Sequence, residues 1–112
     1  EGEITREDCL LAGALVERLT HRGTYTLNDQ ALLACDAWRV LSAQRAAAPP
    51  MTLTASVRQT LRLTQGGRNL LALGLERDLD DAGTLDSVPL VPELTPRGLR
   101  ISVLGRPPDD GA

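Results

Sequence analysis

The amino-acid sequence predicts a mainly α-helical domain: a helical hairpin, one or two further helices, and a short C-terminal strand open to completion by a neighbouring subunit. Apolar residues recur at steps of three and four through much of the first 81 positions. Cap-forming residues stand before the first two of those runs, at Thr5 and at Thr26-Leu27-Asn28-Asp29. Phe is absent and aromatic residues make up only 2% of the chain, so the core has to be aliphatic, which favours interdigitated helices.

The first helix is expected over about residues 6–22. Thr5 offers a hydroxyl to an orphan amide, and Glu7 and Asp8 suit the positive end of the helix dipole. Leu11, Ala12, Ala14, Leu15 and Leu19, widened by Leu10 and Val16, form its apolar face, and His21-Arg22-Gly23 is its stop. The second helix is expected over about 27–47, carrying Leu27, Ala31, Ala34, Cys35, Trp38 and Leu41, and ending before Pro49-Pro50. The short connection makes the two antiparallel neighbours.

Residues 51–64 alternate like a strand through Met51, Leu53, Ala55 and Val57, yet Leu53, Val57 and Leu61 also keep helical spacing. A helix over about 54–64 is preferred, capped by Thr52 or Thr54 and stopped by Gln65-Gly66-Gly67. A further helix is expected from Asn69 to Asp81, with Gly74 inside it at a cost of about 1 kcal/mol relative to Ala. Beyond Gly83 the chain turns extended, with Pro89, Pro92 and Pro96, and Arg100–Leu104 is expected as a short strand with Ile101 and Val103 on one face. A single domain over residues 1–104 and a solvated tail over 105–112 follow.

The formal charge is −3, from 12 basic and 15 acidic residues. Residues 37–75 contain five Arg and no acid, so the middle third is locally basic. Two cysteines, Cys9 and Cys35, are too few for a disulfide framework and are expected to be reduced, which points to a cytoplasmic setting. No run approaches the 18 or so apolar residues of a membrane span. The chain opens at Glu1 rather than Met, which leaves room for an upstream segment.

Candidate chemistry is sparse. The one histidine, His21, is accounted for by the end of the first helix. Asp78, Asp80, Asp81 and Asp86 lack the spacing of a cation-binding loop and are expected to form a solvated acidic face. Gln65-Gly66-Gly67-Arg68-Asn69 is a Gly-rich turn leading into a helix; it reads mainly as a helix stop and restart, with a contact to nucleic-acid phosphate as the first functional alternative and a mononucleotide site as the second. No catalytic set, metal site or cofactor is therefore expected. Arg39, Arg45, Arg58, Arg62 and Arg68 are the candidate nucleic-acid contacts, weighed against a solvated face that balances the acidic ends. Leu70, Leu71, Leu75 and Leu79, with Ile101 and Val103, are the candidate oligomer contacts. Trp38 is expected to fill the seam between the first two helices.

Two patches carry a likeness to a known family. Gly23, Thr26-Leu27-Asn28-Asp29, Ala31-Leu32 and Cys35-Asp36-Ala37-Trp38 form the first, and Leu94-Thr95-Pro96-Arg97-Gly98-Leu99-Arg100-Ile101-Ser102-Val103 the second. In these the chain resembles bacteriophage small terminase subunits of the P27-like group, although Glu93 and Gly98 depart from that pattern. The resemblance implies a non-catalytic, ring-forming component of viral genome packaging that binds double-stranded DNA and presents it to a large terminase subunit. The expected function is thus a DNA-binding, oligomerising adaptor in the host cytoplasm. The runner-up is a helical protein-interaction or structural oligomerisation module without nucleic acid, and an enzyme ranks third. A winged-helix regulator is less favoured because the strand pair of a wing is not evident.

Overall fold

The computed structural model describes residues 3–44 and 50–103. It contains five helices followed by a two-stranded antiparallel sheet: α1 (Arg6–Thr20), α2 (Asp29–Ala43), α3 (Leu53–Leu63), α4 (Gln65–Ala72), α5 (Glu76–Ala82), β1 (Leu90–Thr95) and β2 (Gly98–Val103). The mainly helical expectation holds at that level. Arg45, residues 45–47 of the expected second helix, and the expected tail over 105–112 lie outside the described residues.

Capping chemistry sets the first helix starts. Thr5 is extended and its hydroxyl accepts from the Asp8 amide at 3.4 Å; Asn28 Oδ1 accepts from the Ala31 amide at 2.9 Å. The second helix therefore begins at Asp29, two residues later than expected, because Asn28 rather than Thr26 makes the capping bond. Thr52 caps α3 in the same way, at 3.1 Å from the Ala55 amide, which settles residues 53–63 as helix.

Thr64 ends α3 and begins α4. Its backbone is extended, its hydroxyl donates to the Leu61 carbonyl at 2.8 Å, and the same oxygen accepts from the Gly67 amide at 3.0 Å. The glycines expected to stop α3 lie instead inside the first turn of α4. The expected single helix from Asn69 to Asp81 is two helices. Gly74 takes a left-handed φ of +73°, the Leu75 amide donates to the Leu70 carbonyl at 2.9 Å, and the Gly74 amide donates to the Leu71 carbonyl at 3.0 Å. This is a Schellman ending, which uses up carbonyls that a continuous helix would have paired.

α1 and α2 pack along their length as an antiparallel hairpin, and α3 touches α2, α4 and α5. Gly13 permits the hairpin's close approach: a Cβ there would stand 2.0 Å from the Ala34 carbonyl oxygen and 2.8 Å from the Trp38 Cβ. Trp38 lies in the same seam, half-buried, and its indole nitrogen donates to Glu17 Oε2 at 2.9 Å. Leu10, Leu41 and Val57 join α1, α2 and α3 in a small core, with Trp38, Leu53 and Leu61 packed against it. Cys9 and Cys35 are free thiols, and Cys35 is buried.

The strand expected at Arg100–Leu104 is paired within the chain rather than left for a neighbour. β2 lies antiparallel to β1, with Leu90 opposite Val103, Pro92 opposite Ile101 and Thr95 opposite Gly98. Pro92 hid β1 in the sequence, since proline removes a ladder amide; a two-stranded ribbon has only edge strands and tolerates it. Thr95 closes the turn, its hydroxyl donating to the Gly98 carbonyl at 2.8 Å and accepting from the Arg97 amide at 3.2 Å. Among the described residues no helix is long and apolar enough to cross a membrane.

Two glycine substitutions separate close approach from backbone conformation. Gly13→Ala should force α1 and α2 apart and destabilise the protein by about 3 kcal/mol, with a loss of roughly 10 °C or more in Tm. Gly74→Ala meets open space and should cost only about 1 kcal/mol, from the left-handed φ alone, with Gly74→Asn milder still. Thermal and urea unfolding of the three variants measure both effects, and equal losses at the two positions would contradict the assignment.

Candidate functional site

The four described arginines of the acid-free stretch, Arg39, Arg58, Arg62 and Arg68, do not gather into one basic face. Arg39 lies 3.5 Å from Glu17 of α1 and 3.9 Å from Asp36. Arg58 and Arg62, one turn apart on α3, both reach α5 and the residues that follow it. Arg58 Nε donates to the Asp80 carbonyl at 3.0 Å and its terminal nitrogen to Thr84 Oγ1 at 2.6 Å. Arg62 donates to Glu76 Oε1 at 2.8 Å and to Asp80 Oδ1 at 3.0 Å. Those hydrogen bonds, to Glu76 first and then to Asp80, raise the Arg62 pKa above its ordinary value. Arg68 donates to the Leu63 carbonyl at 2.6 Å. The sequence stretch holds no acid, but the fold supplies acids from α1 and α5.

The leucines expected at an oligomer contact are divided by the turn at Gly74. Leu79 is 3% exposed and belongs to the interior, Leu70 is half-buried, and Leu71 and Leu75 sit at the surface. Ile101 and Val103 are exposed on the ribbon. The acidic run divides as well: Asp80 binds Arg62, Asp81 lies 4.0 Å from Arg77, and Asp86 lies 3.5 Å from Arg18. Among the described residues no three His, Cys, Asp or Glu side chains cluster as a metal would need. His21 is the C-cap residue of α1.

A cleft of mixed polar and apolar lining forms where the N-termini of α1 and α4 meet. Glu3, Ile4, Thr5, Arg6 and Glu7 from one side, and Leu63, Thr64, Gln65, Gly66 and Asn69 from the other, line a space of roughly 440 Å³. Glu7 leans across it: a Cβ on Gly66 would meet Glu7 Oε1 at 2.6 Å. The second carboxylate oxygen, Oε2, is buried and has no hydrogen-bond partner among the described residues. The Gly67 amide is taken by the Thr64 hydroxyl and the Arg68 amide by the Thr64 carbonyl at 3.0 Å. The amides of Gln65 and Gly66 come before these, in the part of a helix that has no internal acceptor.

Two helix N-termini and the exposed Arg6 bring positive charge to the cleft, set against the acidic residues Glu3 and Glu7. The Gly-rich turn marked one half of this cleft in the sequence. Glu7, 59 positions before Gly66, carried no signal beyond its place in the first turn of a helix.

No curated protein and no solved structure matches the chain. The family described as 2-phosphosulpholactate phosphatase matches residues 1–97. That match overturns the likeness to phage small terminases. The first patch behind the likeness is a capped helix start at Asn28, and the second is a hairpin closed by Thr95 and Pro96; both are local devices that many folds share. DNA binding, viral genome packaging and delivery to a large subunit fall with it. The non-catalytic expectation, in its adaptor and interaction-module forms alike, is overturned too, because the family is one of phosphatases. With 97 of its 112 residues matched, the chain belongs to the 2-phosphosulpholactate phosphatase family.

Proposed function

We propose that this chain serves phosphate-ester hydrolysis on a small acid phosphorylated at its 2-position, and that the phosphoryl group is taken up in the cleft between α1 and α4. The family match over residues 1–97 is the observation that carries this reading. The cleft adds a location with suitable chemistry. The Gln65 and Gly66 amides and the Arg6 guanidinium are donors for phosphoryl oxygens, and Asn69 adds a neutral amide.

Hydrolysis consumes one water, breaks the bond between phosphorus and the ester oxygen, and releases the alcohol and inorganic phosphate. The departing oxygen needs a proton. Glu3 and Glu7 both bring a carboxyl group to the cleft; Glu7 is the one with a buried oxygen that no hydrogen bond engages among the described residues, so it is assigned the proton transfer. Arg6 is assigned to binding, where its charge offsets the dianion in both the ground state and the transition state.

Release of inorganic phosphate from 2-phosphosulpholactate, and from a carboxylate analogue phosphorylated at the same position, tests the activity. Glu7→Gln should lower kcat by about 100-fold, the smaller end of general acid catalysis. Arg6→Ala should raise KM by about tenfold with little change in kcat, as expected for uniform binding. Amide chemical shifts during titration with inorganic phosphate test the location separately and should move at Gln65 and Gly66. A folded protein that releases no phosphate sinks the activity, and shifts confined to other residues sink the site.

A further inference from the structure

We propose that α1 docks antiparallel against α1 of a second copy of this chain, about a two-fold axis at Leu15. The starting observation is an apolar stripe on the side of α1 turned away from α2. Leu11, Leu15 and Leu19 are 64%, 54% and 49% exposed, although they repeat at the spacing of a helix interface. The buried residues Leu10 and Gly13 occupy the opposite side. At about 100° per residue, Asp8, Leu11, Leu15 and Leu19 fall within roughly a quarter of the circumference, and Arg22 follows one residue past the C-cap His21, in the turn that ends the helix. α1 is therefore apolar on two faces, only one of which the described residues cover.

The charges at the ends of the stripe identify the occupant. Asp8 lies seven residues before Leu15 and Arg22 lies seven residues after it; Leu11 and Leu19 lie four before and four after. An antiparallel copy centred on Leu15 places Leu15 on Leu15, Leu11 on Leu19, and Asp8 beside Arg22, twice over. The stripe is thus complementary to itself in both hydrophobicity and charge, which is the condition for an isologous contact. Asp8 and Arg22 are exposed, and neither has an ion-pair partner among the described residues, whereas Arg18 is engaged by Asp86.

Two other exposed apolar surfaces, on α2 and on the ribbon, are less suited to self-docking. α2 presents Leu33 and Val40, but its exposed acids Asp29 and Asp36 have no basic residue at the mirrored positions. On the ribbon, Arg100 is already bonded to Glu93 of the adjacent strand. Glu7 lies at the flank of the stripe, about 40° around the helix from Leu11; the dimerisation test reads assembly alone, so the proposal stands or falls independently of the phosphatase reading.

Sedimentation velocity of the full chain over a concentration series is the test. The wild type should pass reversibly from monomer to dimer, and Leu15→Glu should remain monomeric with unchanged circular dichroism, because Leu15 lies outside the core. Asp8→Arg and Arg22→Asp should each weaken dimerisation by about tenfold, by replacing two attractive pairs with two repulsive ones. An equimolar mixture of these two variants should recover wild-type affinity, since the heterodimer again pairs Arg with Asp at both ends. A wild type that stays monomeric, a dimer insensitive to Leu15→Glu, or a mixture no tighter than its components would overturn the proposal.

Discussion

The structure depends on one close approach, the backbone of α1 against that of α2 at Gly13 and Ala34. No side chain fits between them, so the hairpin closes to a distance that lets Trp38 reach Glu17 and lets Leu10 and Leu41 meet over Val57. An aliphatic core without Phe has little volume to spare. Bringing backbones together substitutes for bulky side chains, and a single added methyl group at Gly13 would spread the seam on which α3 rests.

From α3, α5 is placed by polar contacts as much as by burial. Arg58 and Arg62 reach the carbonyl and carboxylate of Asp80, with Thr84 and Glu76 completing the set. Arginine suits this task because its planar fork satisfies several acceptors at once. The consequence for function is that Arg58 and Arg62, two arginines of the basic stretch, are engaged in holding α5. The cleft at the helix N-termini becomes the richer polar feature because its amides and the Glu7 carboxylate are not consumed in that way.

Local chemistry explains which elements were legible. Cap residues followed by periodic apolar runs announced α1, α2 and α3 to within a few residues, since a capping hydroxyl or amide acts within one turn. The break at Gly74 was not legible: a glycine costs so little inside a helix that continuation and termination read alike, and only the Leu70 carbonyl finding the Leu75 amide decides between them. β1 was concealed by Pro92, which argues against a strand anywhere but at an edge. The same local chemistry misled at the level of family, because a capped helix and a Thr-Pro hairpin turn do not belong to one fold.

The sequence by itself determined a mainly helical chain with an aliphatic core, the positions of its first helix starts, and the Gly-rich turn that became one wall of the cleft. These follow from interactions spanning four residues or fewer. Only the tertiary structure decided that Glu7 faces Gly66, that Arg39 and Arg62 meet acids of α1 and α5, and that the described residues leave Leu11, Leu15 and Leu19 exposed. Each depends on which side of a helix another element takes, a choice made by packing between residues far apart in the chain, where spacing and composition carry no record.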